Sequence, residues 1–278
     1  MKSKIIVDSC VDFNDAALSS SVAFERVPFK LRIDGEEIID QDLSTRLLLE
    51  KMKASRHHVA TACPSPEDYR AAIDPERINY IITISSHLSG SYNSAMIAAD
   101  IVKSDFPNCE IYIIDSESAA AGEDLLCMRL LEWLSQNIKP AEIAARMKKL
   151  TEEMHTYFIL NSLENLVKNG RISGKAALLG KMLKIVPIMC DDGQGEIMLK
   201  EKIRGKKKAF NRLIEIINEE VSDASEKILA ITHVHARETA EKIKDALENS
   251  PAFKKIVIFD AGGLSTLYAD NGGIVVAF

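Results

Sequence analysis

The strongest candidate for a binding site is a short segment rich in hydroxyl groups, Ser85-Ser-His-Leu-Ser-Gly-Ser-Tyr-Asn-Ser-Ala95. It follows the apolar run 78–84 and precedes a helical pattern. In an open α/β sheet, ligands bind at the carboxyl ends of strands, where this loop would lie. Gly90 allows close approach of a ligand, and the free N–H groups of a first helical turn favour an anion. The segment therefore predicts an anion-binding loop; the alternative is that Ser89 only caps the helix.

Two other turns carry polar groups. Thr61-Ala-Cys-Pro-Ser65 is the first, and Ser65 is explained most simply as a helix cap. The second turn carries carboxylates, because Asp8 and Asp12 follow the first apolar run. Asp115 follows a later apolar run in the same way. They suggest an alternative function, a metal-dependent phosphohydrolase using Asp8, Asp12 and Asp115. The simpler interpretation is that Asp8 accepts backbone N–H bonds from neighbouring loops.

The sequence contains none of the common motifs for metal or nucleotide sites. His233 and His235 would share one face of a strand, but no third ligand has matching spacing. No G-x-S-x-G, no G-x-x-x-x-G-K-[ST] and no G-x-G-x-x-G after the first strand is present. We therefore predict no metal and no cofactor.

Composition narrows the class of protein further. The chain has 278 residues with 35 Lys plus Arg and 41 Asp plus Glu, a formal charge of −6, which is unfavourable for a dedicated nucleic-acid binder. No apolar run reaches the roughly 18 residues that a membrane span needs. The five cysteines are scattered singly, without a C-x-x-C pair. We expect a cytoplasmic protein without a transmembrane segment.

The elements that would position these residues alternate between strand and helix in the first half. Apolar runs at 4–7, 78–84 and 110–114 predict strands, and helical patterns lie between and after them. Residues 22–40 predict a β-hairpin with its turn at Asp34-Gly35. Short connections between alternating elements predict a doubly wound parallel sheet.

The second half combines a hairpin with strands and helices, which predicts an α+β domain. The hairpin would join 185–189 to 197–202 through Asp191-Asp-Gly193, and further strands are predicted at 157–160, 227–233, 255–259 and 274–278. The predicted fold is thus α/β, with an amino-terminal doubly wound domain (1–154) and a carboxy-terminal α+β domain (155–278).

Several segments, in order along nearly the whole chain, resemble the DegV family of bacterial fatty-acid-binding proteins. The matching segments are Ile6-Val-Asp-Ser9 with Asp12, Thr61-Ala-Cys-Pro-Ser-Pro66, Ile84 to Ala95, Ile114-Asp-Ser116, Leu163-Glu-Asn-Leu-Val-Lys-Asn-Gly-Arg-Ile-Ser173 and Glu201-Lys-Ile-Arg-Gly-Lys-Lys-Lys208.

This resemblance implies that one long-chain fatty acid, such as palmitate, stearate or oleate, binds between the two domains. Thr61 and Ser89 match the family positions whose hydroxyls hold the carboxylate, with Ser86, Gly90 and Ser91 as neighbours. The chain is then a carrier without catalytic activity of its own.

In the kinase-associated members of the family, the bound acid is presented to a separate ATP-dependent subunit, which phosphorylates the carboxylate. Arg171 and Arg204 match basic positions that face this partner. The resemblance therefore implies a fatty acid kinase subunit as a partner.

The chain departs from the family pattern at three places. Ala62 and Cys63 replace a Ser and a Gln, and the usual Ile-Lys-Pro reads Ile185-Val-Pro187. A count from the carboxy terminus places Tyr268 where most members carry a His. Tyrosine donates one hydrogen bond but carries no positive charge near neutral pH, so Tyr268 is a predicted neutral donor to the carboxylate.

An acyl tail would supply most of the affinity. About 14 methylenes at roughly 0.8 kcal/mol each offer on the order of 11 kcal/mol of transfer free energy. Candidate tunnel residues are the apolar side chains of one segment of the second half, where two methionines would suit several chain lengths. They are Leu178, Leu179, Met182, Leu183, Ile185, Ile188 and Met189.

Overall fold

The computed structural model describes residues 2–13, 22–57, 59–172, 184–248 and 252–278. Its strands are β1 (Ser3–Asp8), β2 (Ala23–Val27), β3 (Lys30–Ile33), β4 (Glu36–Ile39), β5 (Ala60–Ala62), β6 (Ile78–Thr83), β7 (Ile111–Asp115), β8 (Thr156–Ile159), β9 (Ile185–Asp191), β10 (Ile197–Arg204), β11 (Ile228–His233), β12 (Lys255–Asp260) and β13 (Ile274–Ala277). Its α-helices are α1 (Thr45–Ala54), α2 (Pro66–Ala72), α3 (Ser91–Asp105), α4 (Ala121–Ser135), α5 (Pro140–Glu153), α6 (Glu164–Lys168), α7 (Lys206–Glu220), α8 (Arg237–Glu248) and α9 (Gly263–Ala269). A short 3₁₀ helix covers Ala224–Glu226.

The amino-terminal part is built on a parallel sheet with the order β2-β1-β6-β7. Alternate residues of a strand point to opposite faces, so Ile5 and Val7 pack against one core and Ile6 against another. Helices α4 and α5 cover the first face, and α2 and α3 cover the second. This arrangement confirms the predicted doubly wound parallel sheet.

A small antiparallel sheet, β4-β3-β5, lies beside the main sheet. The predicted turn at Asp34 and Gly35 is present, and both residues have the positive φ that a type I′ turn requires. The predicted hairpin over 22–40 was too long, because Ala23–Val27 pairs in parallel with β1 instead. The three-residue strand β5 was not predicted, since so short a segment shows no alternation; it pairs with β3 and carries Thr61.

The carboxy-terminal part is a mixed sheet with the order β10-β9-β8-β13-β11-β12. All neighbouring pairs are antiparallel except β11 and β12. The predicted hairpin between β9 and β10 is present. The last strand, β13, lies between β8 and β11, so the end of the chain is at the centre of this sheet. Helix α9 was not predicted.

Helix α4 joins the two parts. Leu125, Leu126 and Leu130 of α4 share one core with strands of both sheets, including Ala230 of β11 and Ala277 of β13. A division of the chain at 154 and 155 into two domains stays a prediction. Across the described ranges, we find no helix with the length and apolar character that a membrane crossing demands.

Candidate functional site

A cavity with an open mouth lies where the carboxyl ends of β6 and β7 meet the carboxy-terminal sheet. Its wall on the amino-terminal side is formed by Cys10, Phe29, Thr61, Ile84, Leu88, Ser89 and 117–120. Its wall on the other side is formed by Thr156, Phe158, Leu160, Leu166, Arg171, Cys190, Asp191, 195–197, Thr232, Val234, Leu264, Ser265, Tyr268, Ala269, Gly273 and Val275. The cavity therefore depends on residues from both parts of the chain.

The period of two along β8 explains part of this wall. Thr156 and Phe158, with Leu160 just after the strand, point into the cavity, whereas Tyr157 and Ile159 pack into the core on the opposite face. Phe158 pairs with Val275 of the neighbouring strand. The carboxy-terminal sheet thus presents a largely apolar surface to the cavity.

Three hydroxyls of the cavity wall are bonded within the protein. Ser118 Oγ lies 2.7 Å from Thr156 Oγ1, and Thr232 Oγ1 donates to Asp124 Oδ2 at 3.1 Å. Thr232 uses its proton on a carboxylate, whereas the Ser118–Thr156 pair keeps one O–H. The surface that suits a hydrocarbon chain is therefore the apolar one formed by Phe158, Leu160 and Val275.

Two side-chain hydroxyls, of Thr61 in β5 and Tyr268 in α9, lie together at the cavity wall. Thr61 Oγ1 and the Tyr268 hydroxyl are 2.9 Å apart. Two hydroxyls bonded to each other use one proton between them, which leaves one O–H to donate elsewhere. Burial raises the pKa of Tyr268, so the hydroxyl keeps its proton near neutral pH.

Ser89 adds a second donor. Its Oγ accepts a hydrogen bond from the backbone N–H of Ser91 at 3.2 Å, and its own proton remains for another acceptor. The N-cap of α3 is Gly90, without a side-chain cap bond. The prediction that Ser89 lies at a binding loop therefore fits its place on the cavity wall.

Three of the predicted carboxylate-binding residues do not form the wall of the cavity. The Ser91 side chain is fully buried behind it, where Ser91 Oγ donates to Asp8 Oδ2 at 2.6 Å and lies 2.7 Å from the Tyr69 hydroxyl. Ser86 donates its backbone N–H to Asp115 Oδ1, and Gly90 is exposed beside the wall. The loop spacing alone could not separate these residues from Ser89.

Arg171 is one of the two predicted partner contacts. It lies on the cavity wall with its guanidinium 5.6 Å from the centre of the Tyr268 ring. Its Nε and Nη1 donate to the carbonyls of Leu88 and Asn169. Arg171 therefore brings positive charge to the cavity, and its contact with a partner stays a prediction. Arg204 is exposed at the end of β10, away from this wall, and its contact with a partner stays a prediction.

The carboxylates of the alternative function have structural roles. Asp8 accepts the N–H groups of Cys10 and Ile84, as the simpler interpretation predicted, and burial raises its pKa. Asp115 Oδ1 accepts from Ser86 and Glu117. In the ranges that the structure describes, no group of three or more His, Cys, Asp or Glu side chains could hold a metal ion. Nothing in the geometry favours a phosphohydrolase.

The prediction that His233 and His235 share one face of a strand is wrong. β11 ends at His233, and His235 has a φ of 48°, which turns it away from the strand direction. His235 Nε2 instead lies 2.9 Å from Thr45 Oγ1.

Three of the seven predicted tunnel residues do not form the wall of the observed cavity. Ile188 packs into the core on the opposite face of the carboxy-terminal sheet, and Met189 is buried beside the cavity without forming its wall. Ile185 faces a separate groove. The remaining four, Leu178, Leu179, Met182 and Leu183, lie outside the described residues.

The tip of the β9–β10 hairpin closes against the amino-terminal part. Ser85 Oγ donates to the carbonyl of Gly195 at 2.9 Å, and His87 Nδ1 lies 3.3 Å from a carboxylate oxygen of Glu196. A Cβ at Gly195 would meet the Ser85 hydroxyl and would lie 2.8 Å from Glu117 Cα. The close contact of the two parts therefore requires glycine at this position.

We predict that Gly195→Ala destabilises the protein more than Gly193→Ala. Both glycines have positive φ in the same turn, but a Cβ at Gly193 has open space around it. Left-handed strain should cost each variant about 1–2 kcal/mol, and the contact with Glu117 backbone should cost Gly195→Ala about 1–3 kcal/mol more. Urea unfolding of both variants measures the difference; equal losses would show that the hairpin tip does not press against the amino-terminal part.

Comparison with known proteins decides the family. A family model described as "Uncharacterised protein, DegV family" matches residues 2–278. The chain belongs to the DegV family. A DegV domain-containing protein of Streptococcus gordonii is 31% identical over 280 residues, covering 99% of this chain and 98% of the relative.

Two solved structures of DegV-type proteins are similar over the whole chain. A DegV family protein from Ruminococcus gnavus, refined with vaccenic acid, has a TM-score of 0.94 at 36% identity and covers 100% of both chains. The fatty acid kinase B3 protein of Streptococcus pneumoniae, loaded with linoleic acid, has a TM-score of 0.94 at 28% identity, covering 100% of this chain and 99% of that one. These similarities confirm the fold predicted from the DegV resemblance.

Proposed function

We propose that this DegV family protein binds one long-chain fatty acid, such as palmitate, stearate or oleate, and acts as a carrier without catalysis of its own. The observation that carries the proposal is the cavity itself, which is apolar along its sheet wall and has hydroxyls and an arginine at Thr61, Ser89, Tyr268 and Arg171. Support comes from the two relatives whose structures contain vaccenic and linoleic acid.

The carboxylate binds to the polar group at the wall. The Thr61–Tyr268 pair donates its remaining O–H, Ser89 donates its own, and Arg171 compensates the negative charge. Such donors are needed because a carboxylate in an apolar cavity is costly without partners. The tail fills the space against Phe158 and Val275. Hydrophobic transfer then provides affinity, and the donors fix the orientation.

The partner in this proposal is the ATP-dependent subunit of a fatty acid kinase. It transfers the γ-phosphoryl group of ATP to a carboxylate oxygen of the bound acid, which gives an acyl phosphate and ADP. The similarity to the fatty acid kinase B3 protein supports this role. Arg204 is the proposed partner contact, and use of ATP by the partner fits the predicted cytoplasmic location.

Native mass spectrometry of protein purified from cells tests the carrier function. We expect a mass excess of one fatty acid, or uptake of one equivalent of oleate or palmitate by delipidated protein. A protein that is empty and takes up neither acid would refute the proposal. The kinase role is tested separately by adding a kinase subunit and ATP to the oleate-loaded protein and trapping acyl phosphate with hydroxylamine; no hydroxamate would refute that role alone.

A further inference from the structure

The carboxylates of Asp12 and Asp40 accept hydrogen bonds from the start of helix α9, and Tyr268 lies in the last turn of the same helix. We propose that these two residues are positioning residues for the carboxylate site, an inference that rests on the proposed function. They hold α9 in the place that brings the Tyr268 hydroxyl to Thr61. The bound acid therefore depends on two carboxylates that it does not touch.

Asp12 binds α9 through both of its oxygens. Oδ1 accepts the backbone N–H of Gly262 at 2.6 Å, and Oδ2 accepts the hydroxyl of Ser265 at 3.0 Å. Gly262 is the N-cap of α9, and Ser265 lies in its first turn. A single side chain of the amino-terminal part thus satisfies two donors at the start of a helix in the carboxy-terminal part.

Asp40 holds the same turn from another direction. Its Oδ2 accepts the backbone N–H of Leu264 at 2.9 Å and the hydroxyl of Ser9 at 2.7 Å, and the residue is only 5% exposed. A Cβ at Gly263 would meet the Asp40 carboxylate, with Cγ at 2.9 Å. Glycine at this position is therefore required for the carboxylate to approach the helix so closely.

These hydrogen bonds to Asp12 and Asp40 matter because α9 is short. A helix of seven residues is not stable by itself and depends on its contacts. Leu264 and Leu267 pack on the small β4-β3-β5 sheet, and Leu264, Ser265 and Tyr268 all line the cavity. Since Tyr268 lies three residues after Ser265, on the same side of the helix, a shift of the first turn moves the Tyr268 hydroxyl relative to Thr61.

The charged groups around Asp12 and Asp40 indicate which conservative variant to use. Desolvation raises the pKa of Asp12 to about 7 and that of Asp40 to about 6, while hydrogen bonds from α9 and the charge of Arg26 lower both. The charge of Asp40 favours the protonated form of Asp12, and the charge of Asp12 in turn raises the pKa of the buried Asp124. Asparagine at position 12 imitates that form, because its oxygen can accept from Gly262 and its amide can donate to the Ser265 hydroxyl.

The test compares Asp12→Ala, Asp40→Ala and Asp12→Asn with the wild type, using oleic acid and oleyl alcohol as ligands. We expect each alanine variant to bind oleic acid about tenfold more weakly, about 1.4 kcal/mol, and to bind oleyl alcohol with less than about a twofold change. Asp12→Asn should bind the acid nearly as wild type does. Asp74→Ala is the matched control, because Asp74 binds Glu76 and Arg77 and has no contact with α9.

A double-mutant cycle identifies the route of the effect. In a Tyr268→Phe background, Asp12→Ala should weaken oleic acid binding by less than about twofold. An undiminished tenfold loss in that background, or equal losses for acid and alcohol, would overturn the positioning role. Should Asp12→Ala fail to fold, Ser265→Ala removes one of the two contacts of Asp12 from the helix side and should weaken acid binding about threefold.

Hydrogen exchange separates this inference from the proposed function, because it needs no ligand. Asp12→Ala should accelerate amide exchange in 264–269 and leave exchange in the sheets unchanged. Unchanged exchange in 264–269 would refute the role of Asp12 in holding α9. Failure of the wild-type protein to bind oleate would instead refute the proposed function.

Discussion

The double variant Thr61→Val/Ser89→Ala is expected to bind oleate at least about tenfold more weakly than the wild-type protein. It removes the Thr61 hydroxyl, which is paired with Tyr268, and the free proton of Ser89. Tyr268 keeps its own O–H in the double variant, so the net loss is the Ser89 hydrogen bond to the carboxylate, which contributes about 1.5–3 kcal/mol. Titration calorimetry with delipidated protein measures the change.

Two controls make this result specific to the head group. Ser86→Ala changes a serine of the same loop that does not form the cavity wall, and it should leave oleate affinity unchanged. Methyl oleate has no charge, so the double variant should bind it with only a small change. Wild-type affinity for oleate in the double variant would show that Thr61 and Ser89 do not hold the carboxylate.

Filling the cavity from the sheet side should abolish binding by a different route. Val275 lies between Phe158 and Thr232 in register across three strands, and all three side chains line the cavity. Val275→Trp adds a bulky ring where the acyl tail would lie. We expect a loss of oleate affinity of at least about 100-fold, because displacing even four methylenes, at roughly 0.8 kcal/mol each, removes about 3 kcal/mol.

Val275→Ala is the matched variant at the same position. It widens the cavity, so oleate should bind within about tenfold of wild type, with both variants checked for folding by circular dichroism. Thermal unfolding gives a second readout, because a bound ligand raises Tm and a protein with a filled cavity shows no such shift with oleate. Unchanged affinity in Val275→Trp would place the tail elsewhere.

The parts of this protein that were predictable are those governed by local chemistry. Ser65 begins α2 with a capping box to Asp68, and the turn at Asp34 and Gly35 has the backbone angles that its residues favour. The loop 85–90 follows a strand whose residues are all buried, so its position at the edge of the sheet was also predictable. Neighbours along the chain decide each of these features.

The tail cavity was not predictable in the same way. Apolar residues of the carboxy-terminal part, such as Ile188 and Phe158, have equivalent sequence patterns, yet one packs beneath α7 and α8 and the other faces the cavity. Which face of a sheet becomes a core and which borders a cavity depends on what is packed against it. Helix α4, which is distant in sequence from most of this sheet, packs on β11 and β13 and so covers part of the face that borders the cavity.

Periodicity, capping and an ordered set of motifs were enough to predict the parallel sheet of the first half, the α+β character of the second half, the hydroxyl-bearing loop and the resemblance to the DegV family. The pairing of Thr61 with Tyr268 across 207 positions, the hydrogen bond of Ser91 to Asp8 and the place of Arg171 at the cavity became visible only in the folded chain. The physical reason is that a hydrogen-bonding group takes whichever partner the packing brings within about 3 Å, and that partner is set by contacts between distant segments.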